Sequence, residues 1–177
     1  MVHLEMEEKL KKATAVICKQ GMVQFPVSDT AIEIIQSVVG GNEDELDLIC
    51  AFDHKPSQTL EQLVESSRFS IDKIERTAAS LAKKGLIFNQ PSSAGVMIYR
   101  LLPLMLVGLM EYKFMVKLSG SREEKELALL FEKLLDELKA QVQENYDSLA
   151  PLFKSSPAVD RTVATHLTED GNPIKVI

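Results

Sequence analysis

The stretch TLEQLVESSRFSIDKIERTAASLAKKGLI, residues 59 to 87, constrains the fold of this chain more than any other. Thr59 and Gln62 stand at capping-box spacing: the hydroxyl takes one unpaired backbone N–H, and the amide reaches back to another. They open a helix with Leu60, Leu63 and Val64 inward, and SSRF supplies a turn. Ser70 stands at the cap of a second helix, whose Ile71, Ile74, Ala78, Leu81 and Ala82 form one apolar stripe. Gly85 follows Lys83 and Lys84, a left-handed cap behind two cations that suit a negative helix end. LIFN then reads as extended, QPSSAG as a turn-rich tip, and VMIYRLL as a β-branched and aromatic return strand. The order predicts a winged helix-turn-helix with residues 86–102 as the wing.

Upstream, residues 4–19 fit a helix with Leu4, Leu10, Ala13, Val16 and Ile17 on one side. Ser28 or Asp29 caps the next, with Ala31, Ile34, Ile35 and Val38 apolar, and Gly40 and Gly41 break it. Asn42 caps EDELDLICAF, where Glu43, Asp44 and Glu45 complement the helix dipole. Downstream, Pro103 ends the strand and residues 104–118 read as an almost wholly apolar helix closed by SGS. Ser121 and Glu124 suggest a second capping box, opening a long helix to about residue 149. The expected fold is mainly α with a small β-hairpin: a winged helix-turn-helix followed by long C-terminal helices. Its parts are a winged-helix domain over 1–103, a helical dimerisation or packing segment over 104–153, and a polar tail over 154–177. RTVATHL in the tail reads as a short strand and EDGNP as a turn.

The sequence carries no sign of catalysis. It has no Gly-rich phosphate loop, H-E-x-x-H, C-x-x-C or G-x-S-x-G. Its two cysteines, Cys18 and Cys50, sit in apolar helical patterns and read as reduced core thiols, too few for a four-thiolate cluster. His3, His54 and His166 have no partner at ligand spacing, so neither metal nor cofactor is expected within this chain. The amino terminus lacks the apolar core of a signal peptide, and LLPLMLVGLM is too short to span a bilayer, so the expected compartment is the cytoplasm, away from membranes.

Two interaction surfaces remain open. The first is DNA. On the second helix, Ser70, Lys73, Arg76, Thr77, Ser80, Lys83 and Lys84 face outward by position, and the wing tip adds Ser92 and Ser93. Arginine and lysine are the commonest groove readers, and serines suit phosphate. Yet residues 41–103 hold seven Lys and Arg against nine Asp and Glu, and the whole chain is net −6. Phosphate neutralisation dominates duplex affinity, so an acidic module is a poor free-standing binder. The wing then serves packing or protein recognition instead. The second surface is a homodimer interface. A helix apolar round most of its circumference must be covered on most sides. The candidates are Leu104, Leu106, Leu109, Met110 and Phe114, with Leu127, Phe131, Leu134 and Leu138 on the long helix. Cover from the chain's own helices is the alternative.

FPVSDTAIEII, the acidic-capped helix, the stretch from Thr59, YRLLPLMLVGLMEYKFM and EEKELALLFEKLLDEL come in a telling order. Over roughly residues 20–140 it resembles the amino-terminal region of prokaryotic iron–sulfur proteins of the 4Fe-4S ferredoxin type, in which a winged-helix domain precedes a cysteine-rich cluster domain. Tyr99, Leu101, Leu102, Pro103, Gly108 and Glu111 carry the most specific part. The resemblance implies a regulatory or protein-interaction module with an iron–sulfur or redox partner. A cluster would come only from a domain beyond Ile177, because the cluster cysteines are not in this sequence. More broadly the core is similar to MarR and ArsR regulators, which implies transcription regulation through DNA binding as the alternative.

Overall fold

The computed structural model describes residues 2–21 and 25–155. The fold is mainly helical with one small antiparallel sheet. Its elements are α1 (Val2–Cys18), α2 (Asp29–Val39), α3 (Glu43–Cys50), β1 (Ser57–Thr59), α4 (Leu60–Ser67), α5 (Ile71–Lys84), β2 (Ile87–Pro91), β3 (Met97–Leu101), α6 (Leu109–Phe114), α7 (Arg122–Glu144) and α8 (Tyr146–Ser155). The chain divides into two compact units, Met1–Asp136 and Glu137–Ile177.

Caps set the helix starts. Ser28 accepts from the Ala31 N–H and Asn42 from the Glu45 N–H, each satisfying a donor the helix cannot. The capping box at Thr59 closes on both sides, with Thr59 N–H donating to Gln62 Oε1 at 3.1 Å and Gln62 N–H to Thr59 Oγ1 at 3.4 Å. Ser70 holds the cap position of α5 without a side-chain hydrogen bond. Gly85 ends α5 at φ 83°, and its missing side chain matters twice: a Cβ there would lie 2.2 Å from Cδ1 of Tyr112.

The core of the first unit is built from one stripe of each helix. Ala13, Val16 and Ile17 of α1 join Ile34 and Ile35 of α2, Leu46 and Ile49 of α3, Leu63 of α4, and Ile74 and Leu81 of α5, all buried. Each buried aliphatic side chain contributes roughly 1.5–3 kcal/mol relative to exposure. The sheet runs β1-β3-β2, with Phe88 opposite Arg100 and Gln58 opposite Tyr99. Strand β1 has no apolar pattern. It is held instead by the buried Gln58, whose amide donates to the carbonyls of Ala51 and Lys55 and accepts from the Ser66 hydroxyl.

The structure corrects three expectations downstream of Pro103. The continuous helix over 104–118 does not form, and α6 covers only Leu109–Phe114. Before it lies a loop in which Leu106 and Val107 adopt φ 64° and 69°, a left-handed conformation that bulky residues resist. The cause is local. The Glu111 carboxylate accepts from Leu106 N–H at 3.0 Å and Gly108 N–H at 2.9 Å, giving those amides partners outside a helix. The chain then doubles back so tightly that a Cβ on Gly108 would meet the Pro103 carbonyl oxygen at 2.0 Å. The long helix also stops earlier than expected. It ends at Glu144, where the Asn145 amide takes the Gln141 carbonyl at 2.9 Å, and α8 begins anew. The capping pair before α7 is displaced too: Glu124 N–H donates to Ser121 Oγ, but the Glu124 carboxylate accepts from Ser119 and Gly120. RTVATHL and EDGNP lie outside the described residues.

Candidate functional site

Helix α5 turns two faces away from the core, and they differ. Lys73, Thr77, Ser80 and Lys84 follow one another at helical spacing and look toward α3. Glu45 of α3 is 1% exposed, and its carboxylate accepts from Ser80 Oγ at 2.6 Å and from Lys84 Nζ at 2.6 Å. The Lys84 ammonium also donates to the Val39 carbonyl at 3.1 Å. Lys73 pairs with Asp44 at 2.7 Å and lies 3.9 Å from the centroid of the Phe69 ring. Thr77 is buried. Two of the cations placed on a reading face by position are therefore consumed by acids of α3.

The other outward face holds Ser70, Asp72, Glu75, Arg76, Ala79 and Lys83, all exposed. Arg76 lies along its own helix, donating from Nε to the Asp72 carbonyl at 3.2 Å. With two acids and two bases, this face is neutral. At the hairpin tip, Ser92 Oγ accepts from Val96 N–H and closes the turn, while Ser93 is exposed. The structure does not gather these candidates into one cationic surface.

The candidate dimer residues also separate. Leu104, Leu109, Leu127, Phe131 and Leu134 are buried within the chain itself. Phe114 is half-buried and meets Phe131 edge-on, ring centroids 5.8 Å apart. Met110 and Leu138 are half-buried, and Leu106 is exposed.

What the sequence order does not reveal is the apolar groove beside the hairpin. It has a volume of about 650 Å³ between the outer face of the sheet and the strained loop, with Phe88, Leu102, Pro103, Leu106, Val107 and Met115 among its walls. Val107 is 84% exposed and Met115 81%, unusual for large apolar side chains. Arg100 lies in the groove and makes no ion pair among the described residues. Glu111 lies there too. Burial pushes its carboxyl up, but the backbone N–H groups of Gly108, Glu111, Leu106 and Val107 outweigh this and hold it below its ordinary 4.5. In a separate cavity lined by Val38, Phe114 and Leu127, burial and the nearby Lys84 depress Lys113.

Among the described residues no group of His, Cys, Asp or Glu is placed to hold a metal ion, and no helix is long and apolar enough to cross a membrane. Burial raises the Cys18 thiol to about 11 and shifts Cys50 upward as well. Compared with protein-family models, curated proteins and solved structures, the chain matches none.

Proposed function

We propose that this chain is a non-catalytic protein-interaction module on a winged-helix frame, working through apolar contact and not through groove reading by α5. The frame is supported by the succession α3, α4, α5 and the β2–β3 hairpin, with β1 joining the hairpin as a third strand. The observation that carries the functional reading is the pairing of α5 to α3. Lys73 and Lys84 meet Asp44 and Glu45 at 2.7 and 2.6 Å, so their charge is already neutralised inside the chain. A duplex would have to break these pairs before releasing counterions, which removes most of the electrostatic gain. The groove supplies the opposite property, a desolvation-ready surface with few charges. The likeness to the domain that precedes a 4Fe-4S cluster in ferredoxin-type proteins agrees with this role and makes a redox protein a fitting partner.

The test is a titration of labelled mixed-sequence duplex DNA at low salt, read by fluorescence anisotropy. The proposal expects no saturable binding. Saturable, steeply salt-dependent binding that is lost in R76A and K83A would overturn it in favour of a transcription regulator.

A further inference from the structure

The geometry points to a second copy of this chain as the occupant of the groove beside the hairpin, in a twofold contact that seats Val107 and Met115 of each protomer in the groove of the other. The inference rests on the protein-contact reading above and specifies its partner.

Three observations favour a second copy over an unrelated peptide. First, the patch contains both halves of a self-complementary contact. The groove is lined by Phe88, Leu102 and Pro103 and also by Val107 and Met115, which are 84% and 81% exposed. A twofold partner covers both, because an isologous interface presents the same surface on each side.

Second, the charges fit. The two ionisable groups of opposite sign lining the recess are Arg100 and Glu111. A patch with one of each is neutral and can satisfy its own copy, Arg100 of one protomer meeting Glu111 of the other.

Third, the area suffices. Phe88, Leu106, Val107, Tyr112, Met115 and Val116 are all large, apolar and exposed. At about 100 Å² each they present roughly 600 Å² of apolar surface, close to the ~800 Å² each partner gives up in a stable interface once a polar rim is added. The loop carrying two of them is held in a strained left-handed backbone at Leu106 and Val107, and it turns both side chains outward where ordinary folding would bury them.

The open edge of β2 offers little to strand pairing between copies. The Leu102 N–H donates to the Leu86 carbonyl, so Phe88 and Gln90 direct their backbone groups toward β3. Ile87, Asn89 and Pro91 are left on the open edge, and Pro91 has no N–H to offer. The contact is made by side chains.

Sedimentation velocity of the full chain over a wide concentration range tests this. The expected result is a reversible dimer, weakened by about tenfold or more in V107E and in M115E, each of which sets a charge at the contact centre. L129E, an exposed change on α7 outside the groove lining, should leave it intact. Should either groove variant misfold by circular dichroism, M115C with a short bis-maleimide gives the second readout: a cross-linked dimer is expected, and none from L129C. A monomer at every concentration overturns the inference, as does a dimer indifferent to both groove variants. Neither result bears on the DNA titration, whose failure would strike the protein-contact reading by itself.

Discussion

Replacing Glu111 with glutamine is the sharpest probe of the loop that shapes the groove. In the wild type, one carboxylate accepts from Leu106 N–H at 3.0 Å and Gly108 N–H at 2.9 Å. Glutamine keeps one acceptor and turns an NH₂ toward the other amide, so one bond is lost and a donor faces a donor. A hydrogen bond to a charged group contributes about 1.5–3 kcal/mol when buried, and Glu111 is only half-buried, so the loss is roughly 1–2 kcal/mol. Relaxation of Leu106 and Val107 from their left-handed backbone returns part of it, since each costs about 1–2 kcal/mol there. The expected net destabilisation is about 1 kcal/mol, read from urea unfolding at neutral pH, where the slope gives the area exposed. The pH dependence follows in sign. The carboxyl is held below 4.5 in the folded chain, so its stabilisation is complete above that value and disappears as pH falls through the folded pKa. E111Q lacks this contribution, and the gap between the two proteins should close on acidification. A gap unchanged into strong acid, or no gap at neutral pH, would refute the reasoning.

Other substitutions test other joints of the account. G85A forces a Cβ to 2.2 Å from the Tyr112 ring at φ 83°, so unfolding should show a loss of about 2–4 kcal/mol. G40A, also at positive φ but with nothing within 4 Å, should lose only about 1 kcal/mol. E45Q leaves the half-buried Lys84 ammonium without its anion, and a drop of roughly 2–4 kcal/mol is expected in thermal or urea unfolding. Cys18, with its thiol raised to about 11, should resist a thiol reagent at mildly alkaline pH until denaturant opens the core.

Local chemistry made much of this fold legible in the sequence. The caps at Asn42 and Thr59 appear as read, Ser28 and not Asp29 caps α2, and of the stripe Ile71, Ile74, Ala78, Leu81 and Ala82 the middle three are buried, while Ala82 is half-buried and Ile71 is 52% exposed. Strand β1 was invisible because Ser57, Gln58 and Thr59 carry no apolar alternation, and its strength lies in a buried glutamine bonded to distant carbonyls. The apolar run after Pro103 misled for a related reason. Periodicity reports where apolar side chains recur, but Glu111 captures the amides of Leu106 and Gly108, and that competition leaves no periodic trace. The α5 face was mispictured by position alone. Subtracting the core stripe leaves Lys73, Ser80 and Lys84 outward, and only the packing of α3 reveals that Asp44 and Glu45 claim them. Acids in a first helical turn read as dipole complements, and Glu45 serves as the buried anchor of a second helix as well.

The central claim is that contact runs through the hairpin groove and not through α5. Hydrogen exchange, mapped by peptide at rising protein concentration and again with excess duplex DNA, tests it most directly. The account predicts growing protection over β2 and the segment from Pro103 to Val116 with concentration, and no change along α5 when DNA is added. Protection that appears on α5 with DNA, while the groove stays open at every concentration, would contradict it.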